Sequence, residues 1–193
     1  MHVAVDRRQQ IVDAAAKSFA LFGYKATTME QVAKIASVGK GTIYTFFANK
    51  EQLFDEILRS VLREMKRIIA QEIQAGRPFV DNMQRSLDAL LDFRDQHELL
   101  IKLSQEVRDF GTPQAKEAMH RVEQVILEHL EGQIVRAMEQ NAIRRMDPKI
   151  ISFVMLELYI ALTSEWSKNH DPLDKEQIKQ VSRILLAEGL SVK

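Results

Sequence analysis

Few residues in this chain could do covalent chemistry. There is no cysteine, which removes disulfides, thiolate nucleophiles, thiol redox sensing and cysteine zinc sites together. One pair has metal-ligand spacing. Glu117 and His120 are three apart, on one helix face, as in a carboxylate-bridged di-iron site. That site needs a second Glu-x-x-His and two further glutamates, and none of His2, His97, His129 and His170 has a glutamate three residues before it. No phosphate-binding glycine loop or nucleophile elbow occurs. The sequence predicts no enzyme, no metal and no cofactor.

Non-covalent recognition has better candidates. Residues 40–50 read Lys-Gly-Thr-Ile-Tyr-Thr-Phe-Phe-Ala-Asn-Lys. At about 100° per residue on a helix, Ile43 and Phe47 fall together and should be buried. Thr45 points away from them, with Gly41 and Thr42 beside it and Tyr44 and Phe46 on the flanks. Gly41 costs roughly 1 kcal/mol of helix propensity, which close backbone approach to a partner would offset. Lys50, opening the next helix, adds its charge to a positive helix end suited to a phosphate. The first 50 residues hold seven basic and three acidic side chains, a net +4 in a chain whose total charge is zero. A basic end on an otherwise acidic protein suits a polyanion.

The elements that position these residues are helices. Strand signals are absent, and Pro78, Pro113, Pro148 and Pro172 each stand where a helix should start. The first helix spans 5–22, with Ile11, Ala14, Ala15, Phe19 and Phe22 on its buried stripe and Gly23 ending it. Helices follow at 28–36, 40–47, 49–75, 79–96, 98–110, 113–141, 148–168 and 174–188. Thr28 and Gln31 form a capping box at the start of the second, and the turn Ser37-Val38-Gly39 joins it to the third. Two short helices on so tight a turn match a helix-turn-helix. The reading is all-α with about nine helices, divided at residue 50 into a helix-turn-helix domain (1–50) and a helical effector-binding and dimerisation domain (51–193).

The segment TTMEQVAKIASVGKGTIYTFFANKEQLF, with FALFGYKATT before it, resembles the N-terminal domain of TetR-type (tetracycline-repressor) transcriptional regulators over residues 7–60. Residues 60–193 match that family only in length and helix count. The resemblance implies a homodimeric repressor whose third helix enters the major groove of double-stranded DNA and whose C-terminal domain binds an effector. By position it puts Lys40, Gly41, Thr42 and Thr45 at bases and nearby phosphates, and Thr28, Tyr44 and Lys50 on the backbone. Two departures stand out. The family's turn is usually Gly-Val-Ser, so Ser37 would have to hold a left-handed conformation. Phe46 stands where Tyr or His is common, and its ring has no donor for a phosphate hydrogen bond.

In the C-terminal part Phe79, Met83, Leu87, Leu90, Leu103, Val107, Phe110, Met119, Val122 and Ile126 recur at helical spacing and would line an apolar pocket for a small molecule. Arg94, Glu106 and Arg108 are the candidate polar anchors in these stretches, and each reads first as a solvated surface charge. The helix KIISFVMLELYIALTSEW is apolar nearly all round. With the next one it offers Phe153, Leu156, Ile160, Ile178, Val181, Ile184 and Leu185 for a homodimer built as a four-helix bundle. A two-fold dimer would read a palindromic operator. No window approaches the roughly 18 uninterrupted apolar residues of a membrane span, and the N-terminus lacks a signal-peptide core. Both point to the cytoplasm. The alternative is a helical-bundle carrier of apolar molecules whose helix-turn-helix is only structural; DNA affinity falling steeply with salt separates the two.

Overall fold

The computed structural model describes residues 6–185. Among them are nine α-helices and no strand: α1 Arg7–Ala26, α2 Met29–Ile35, α3 Lys40–Phe46, α4 Lys50–Gln71, α5 Phe79–Gln96, α6 Glu98–Asp109, α7 Pro113–Glu139, α8 Pro148–Ile160 and α9 Lys175–Arg183. A π-helical turn (Ala161–Glu165) and a 3₁₀ turn (Trp166–Lys168) prolong α8. The expected continuation of the last helix to residue 188 lies partly outside the described residues.

The chain divides into two compact units that do not follow the linear cut at residue 50. The first holds residues up to 64 together with 94–121, and the second holds 65–93 and everything from 122. The long helices α4, α5 and α7 each contribute to both.

In the first unit α1 buries Ile11, Ala14, Ala15 and Phe19, as its periodicity predicts. Phe22 corrects that pattern, being 47% exposed. Gly23 breaks the helix at φ 81°, ψ 174°, so the register of the stripe is lost one residue after Phe22. Tyr24 fills the core instead. Its ring lies 5.9 Å from Phe19 and 4.8 Å from Phe54, centroid to centroid.

In the second unit Met83, Ile134, Ala137, Ile143 and Met155 form a buried cluster. Local signals set its helix ends. Asp147 caps α8 with Pro148 in the first turn. Asp174 and Gln177 form a capping box on α9. Pro172 is therefore not at a helix start; α9 opens only after Asp174. The run Pro148–Lys168 meets the length and composition of a membrane span, with mean hydropathy 1.3 and 17% of its window buried. That qualifies the sequence expectation, which considered only uninterrupted apolar runs.

Candidate nucleic-acid interface and ligand cavity

The interface is assembled on α2, the turn and α3. Gln31 N–H donates to Thr28 Oγ1 at 3.2 Å, and the Gln31 side chain accepts from Thr28 N–H at 3.0 Å. This reciprocal cap fixes where α2 begins. At its other end Ser37 takes φ 53°. The Val38 N–H reaches Ala33 O at 3.0 Å and the Ser37 N–H reaches Lys34 O at 3.2 Å. These two bonds make a Schellman termination. Its left-handed residue is a serine, as the swapped turn requires. Gly39 has ordinary extended angles (φ −65°, ψ 148°) and caps α3 without a side chain.

The rest of the site follows the helical wheel. Ile43 and Phe47 are buried, while Tyr44 and Phe46 are 44% and 41% exposed. Gly41 and Thr45 are exposed and Thr42 partly so. A β-carbon at Gly41 would meet nothing within 4 Å, so packing within the protomer does not require glycine there. The Thr45 hydroxyl donates to Thr42 O at 2.7 Å. It keeps its lone pairs for a partner. Lys40 Nζ pairs with Glu30 at 2.6 Å, both more than half exposed. That hydrogen bond lowers the Glu30 carboxyl and raises the Lys40 ammonium.

Lys50 is only partly exposed. Its Nζ donates to Tyr24 O at 2.9 Å and lies 4.2 Å from the centre of the Tyr24 ring. The Tyr24 hydroxyl in turn donates to Glu51 Oε1 at 2.7 Å. Burial first, then that bond, raises the phenol well above its ordinary range, while the bond from Tyr24 holds Glu51 low. Lys50 is thus tied to the corner between α1 and α2, a link its position in the sequence did not reveal.

The residue that the sequence misjudges is Glu106, which is 5% exposed and not a solvated charge. Its carboxylate accepts from Lys25 N–H at 3.1 and 3.3 Å and from the Thr112 hydroxyl at 2.7 Å. A β-carbon at Gly23 would stand 2.5 Å from Glu106 Oε2. Gly23 was the available signal, since its φ and its missing side chain both serve this contact. Arg108, by contrast, is exposed beside Asp109.

The predicted pocket residues separate. Phe79, Met83, Leu87, Leu90 and Ile126 line one cavity of about 70 Å³ in the second unit, joined by residues of α8 and α9 that the reading did not include. Leu103, Val107, Phe110 and Met119 belong to the first unit. Leu103 is fully buried there, and Phe110 is 66% exposed under Lys25 Nζ, which lies 4.4 Å from its ring. Val122 is buried away from the cavity. The predicted dimer residues separate too. Phe153, Val181, Ile184 and Leu185 are exposed, with Ile150 and Val154 beside them in sequence, and Ile160 is half-buried. Leu156 and Ile178 are corrections: both pack inside their own unit. No group of acidic and histidine side chains among the described residues could hold a metal.

Residues 11–57 match the family described as "Bacterial regulatory proteins, tetR family". The HTH-type transcriptional regulator YhgD of Bacillus subtilis is 47% identical over 189 residues, covering 98% of this chain and 99% of its own. The fatty acid degradation regulator FadR of Bacillus halodurans has the same fold, with a TM-score of 0.76 at 19% identity over 95% of this chain and 96% of its own. So has SmeT of Stenotrophomonas maltophilia, solved with triclosan, at a TM-score of 0.77 and 16% identity over 97% and 92%.

Proposed function

The chain is a transcriptional regulator of the tetR family, not an enzyme, and from that premise we propose that it acts as a homodimeric repressor. In this reading α3 of each subunit enters the major groove of a palindromic operator. A small apolar or amphipathic molecule in the second unit releases the DNA. The work is done in the cytoplasm, with the DNA.

The observation that carries the reading is the divided face of α3. Ile43 anchors it in the core, while Gly41, Tyr44 and Thr45 are exposed and Thr42 partly so, and packing within the protomer does not require a glycine at 41. Thr42 and Thr45 are then the base readers, and open space at Gly41 lets the backbone approach the groove. Lys40, Thr28 and Tyr44 hold phosphates. Lys50 has three N–H donors and spends one on Tyr24 O, leaving two for a phosphate. Phe46 adds an apolar contact only.

Dimerisation is supported by the unpaired apolar side chains of α8 and its neighbour, Ile150, Phe153, Val154, Ile184 and Leu185, each at least half exposed. Lipid is the competing occupant. Glu157, exposed in the middle of that run, would be costly in a bilayer and is tolerated at a water-rimmed protein interface. Ligand release is supported by the apolar cavity and by SmeT, a protein of the same fold solved with triclosan.

Operator binding by point variants tests the reading. Thr42→Ala and Thr45→Ala should change which operator variants are preferred. Lys50→Ala should weaken binding evenly and lower the slope of log affinity against log salt by about one per half-site. Unaltered base preference in both threonine variants would remove α3 as the reader.

A further inference from the structure

The cavity of the second unit is apolar over most of its wall, with Ile69, Phe79, Leu87, Ile126 and Met155 among its lining. Gln84, Ser86, His129, Tyr159, Ser182 and Arg183 bring polar side chains to that lining, and two of them stand apart. Ser86 Oγ and His129 Nε2 are both shut off from solvent, and neither has a hydrogen-bond partner among the described residues. Ser86 is 5% exposed overall. Leaving such groups unpaired is costly, and native proteins keep few of them. A pair of them in one apolar cavity is a prepared contact for something that enters.

We propose that this cavity takes a small amphiphile with an apolar body and an uncharged hydroxyl head, a phenol or an alcohol, and that Ser86 Oγ and His129 Nε2 hold the head. The proposal rests on the reading of the chain as a ligand-released regulator and assigns the chemistry of its ligand. A hydroxyl donates one hydrogen bond and accepts another. It therefore satisfies a serine and a neutral imidazole in either tautomer. Burial, with a smaller push from Arg136, lowers the His129 pKa, so the imidazole is neutral at pH 7.

Charged heads fit less well. No aspartate or glutamate lines the cavity to receive an amine. A carboxylate at the serine and imidazole would be buried with only neutral groups touching it, which is expensive. It would turn instead to Arg183, the one charged residue of the lining, which is exposed. A carboxylate would therefore bind without needing Ser86 or His129. Size adds a coupling. A cavity of about 150 Å³ holds benzene, about twice the ≈ 70 Å³ present. A ring enters only by displacing lining side chains, for which Met83 and Met155 are adaptable. Displacing them is one way for a ligand to favour one state over another, and only such a differential interaction shifts an equilibrium.

Calorimetric titration of the full chain with 4-methylphenol, toluene and 4-methylbenzoate tests this. Expected is tightest binding of 4-methylphenol, weakened about 3- to 10-fold by Ser86→Ala and by His129→Phe, the loss of one hydrogen bond each. The double variant should bind toluene more tightly than the wild type does, because no polar atom is then left stranded; this also checks that it folds. Unchanged 4-methylphenol affinity in both single variants overturns the proposal. So does 4-methylbenzoate binding tightest and depending on Arg183, or no binding of any of the three. Operator affinity is measured separately with and without 4-methylphenol. Binding as predicted with no change in operator affinity upholds the cavity assignment and overturns ligand release.

Discussion

Replacing Gly23 by alanine should destabilise the protein through two effects that a second substitution can pull apart. Residue 23 has φ 81° and ψ 174°, a region essentially restricted to glycine, and holding alanine there costs about 1–3 kcal/mol. The new β-carbon would also lie 2.5 Å from Glu106 Oε2. The carboxylate must then move and give up its bonds to Lys25 N–H and the Thr112 hydroxyl. Hydrogen bonds to a charged group contribute about 1.5–3 kcal/mol. Alanine recovers about 0.4–1 kcal/mol by restricting the unfolded chain. The expected net loss is about 2–5 kcal/mol. In a Glu106→Ala background the close contact is gone, so Gly23→Ala should cost only its backbone strain, about 0–2.5 kcal/mol net. Urea unfolding followed by far-ultraviolet circular dichroism on the four proteins gives the coupling, expected at about 1.5–3 kcal/mol. Equal costs of Gly23→Ala in both backgrounds would refute the assignment of Glu106 as the group that fixes this corner.

The turn offers a test of opposite sign. Ser37→Gly should relieve a left-handed serine at φ 53° and raise stability by about 0–1 kcal/mol after the entropy of glycine is subtracted, with operator preference unchanged. A clear loss in chemical unfolding would contradict the left-handed assignment. Asp55 gives a pH dependence. The Arg121 guanidinium bonded to it, helped by Arg59, holds its carboxyl below the usual range. A depressed carboxyl contributes stability above its unfolded pKa of about 3.9, lost as pH falls through the lower folded value. Asp55→Asn should therefore be less stable than the wild type at pH 7, with the gap closing below about pH 4. A gap that stays constant down to pH 2 would show the pairing to be unimportant.

What was legible in the sequence is what local chemistry decides. Thr28 and Gln31 cap α2 because both partners lie within one turn, and Ile43 and Phe47 are buried because a helix puts them on one side. The left-handed Ser37 was visible only because the turn's glycine stands two residues later than the family's pattern has it. The failures are tertiary. Phe22 continues the stripe of α1 on paper, but Gly23 redirects the chain and Tyr24 takes the core position. Glu106 looks like any helix-surface carboxylate until Lys25, 81 positions away in the sequence, is brought to it. Periodicity marked Leu156 and Ile178 as apolar without saying whether the protomer or a partner would cover them. It also gave no hint that Ser86 and His129 interrupt the cavity wall.

The central claim is that two copies of α3 read DNA together. It is tested most directly by selecting genomic fragments that the full-length protein binds and sequencing them. The account predicts one enriched motif that is its own inverted repeat, with half-site centres about one helical turn apart or slightly more. A single motif without a repeat, or no enrichment over input DNA, would contradict it.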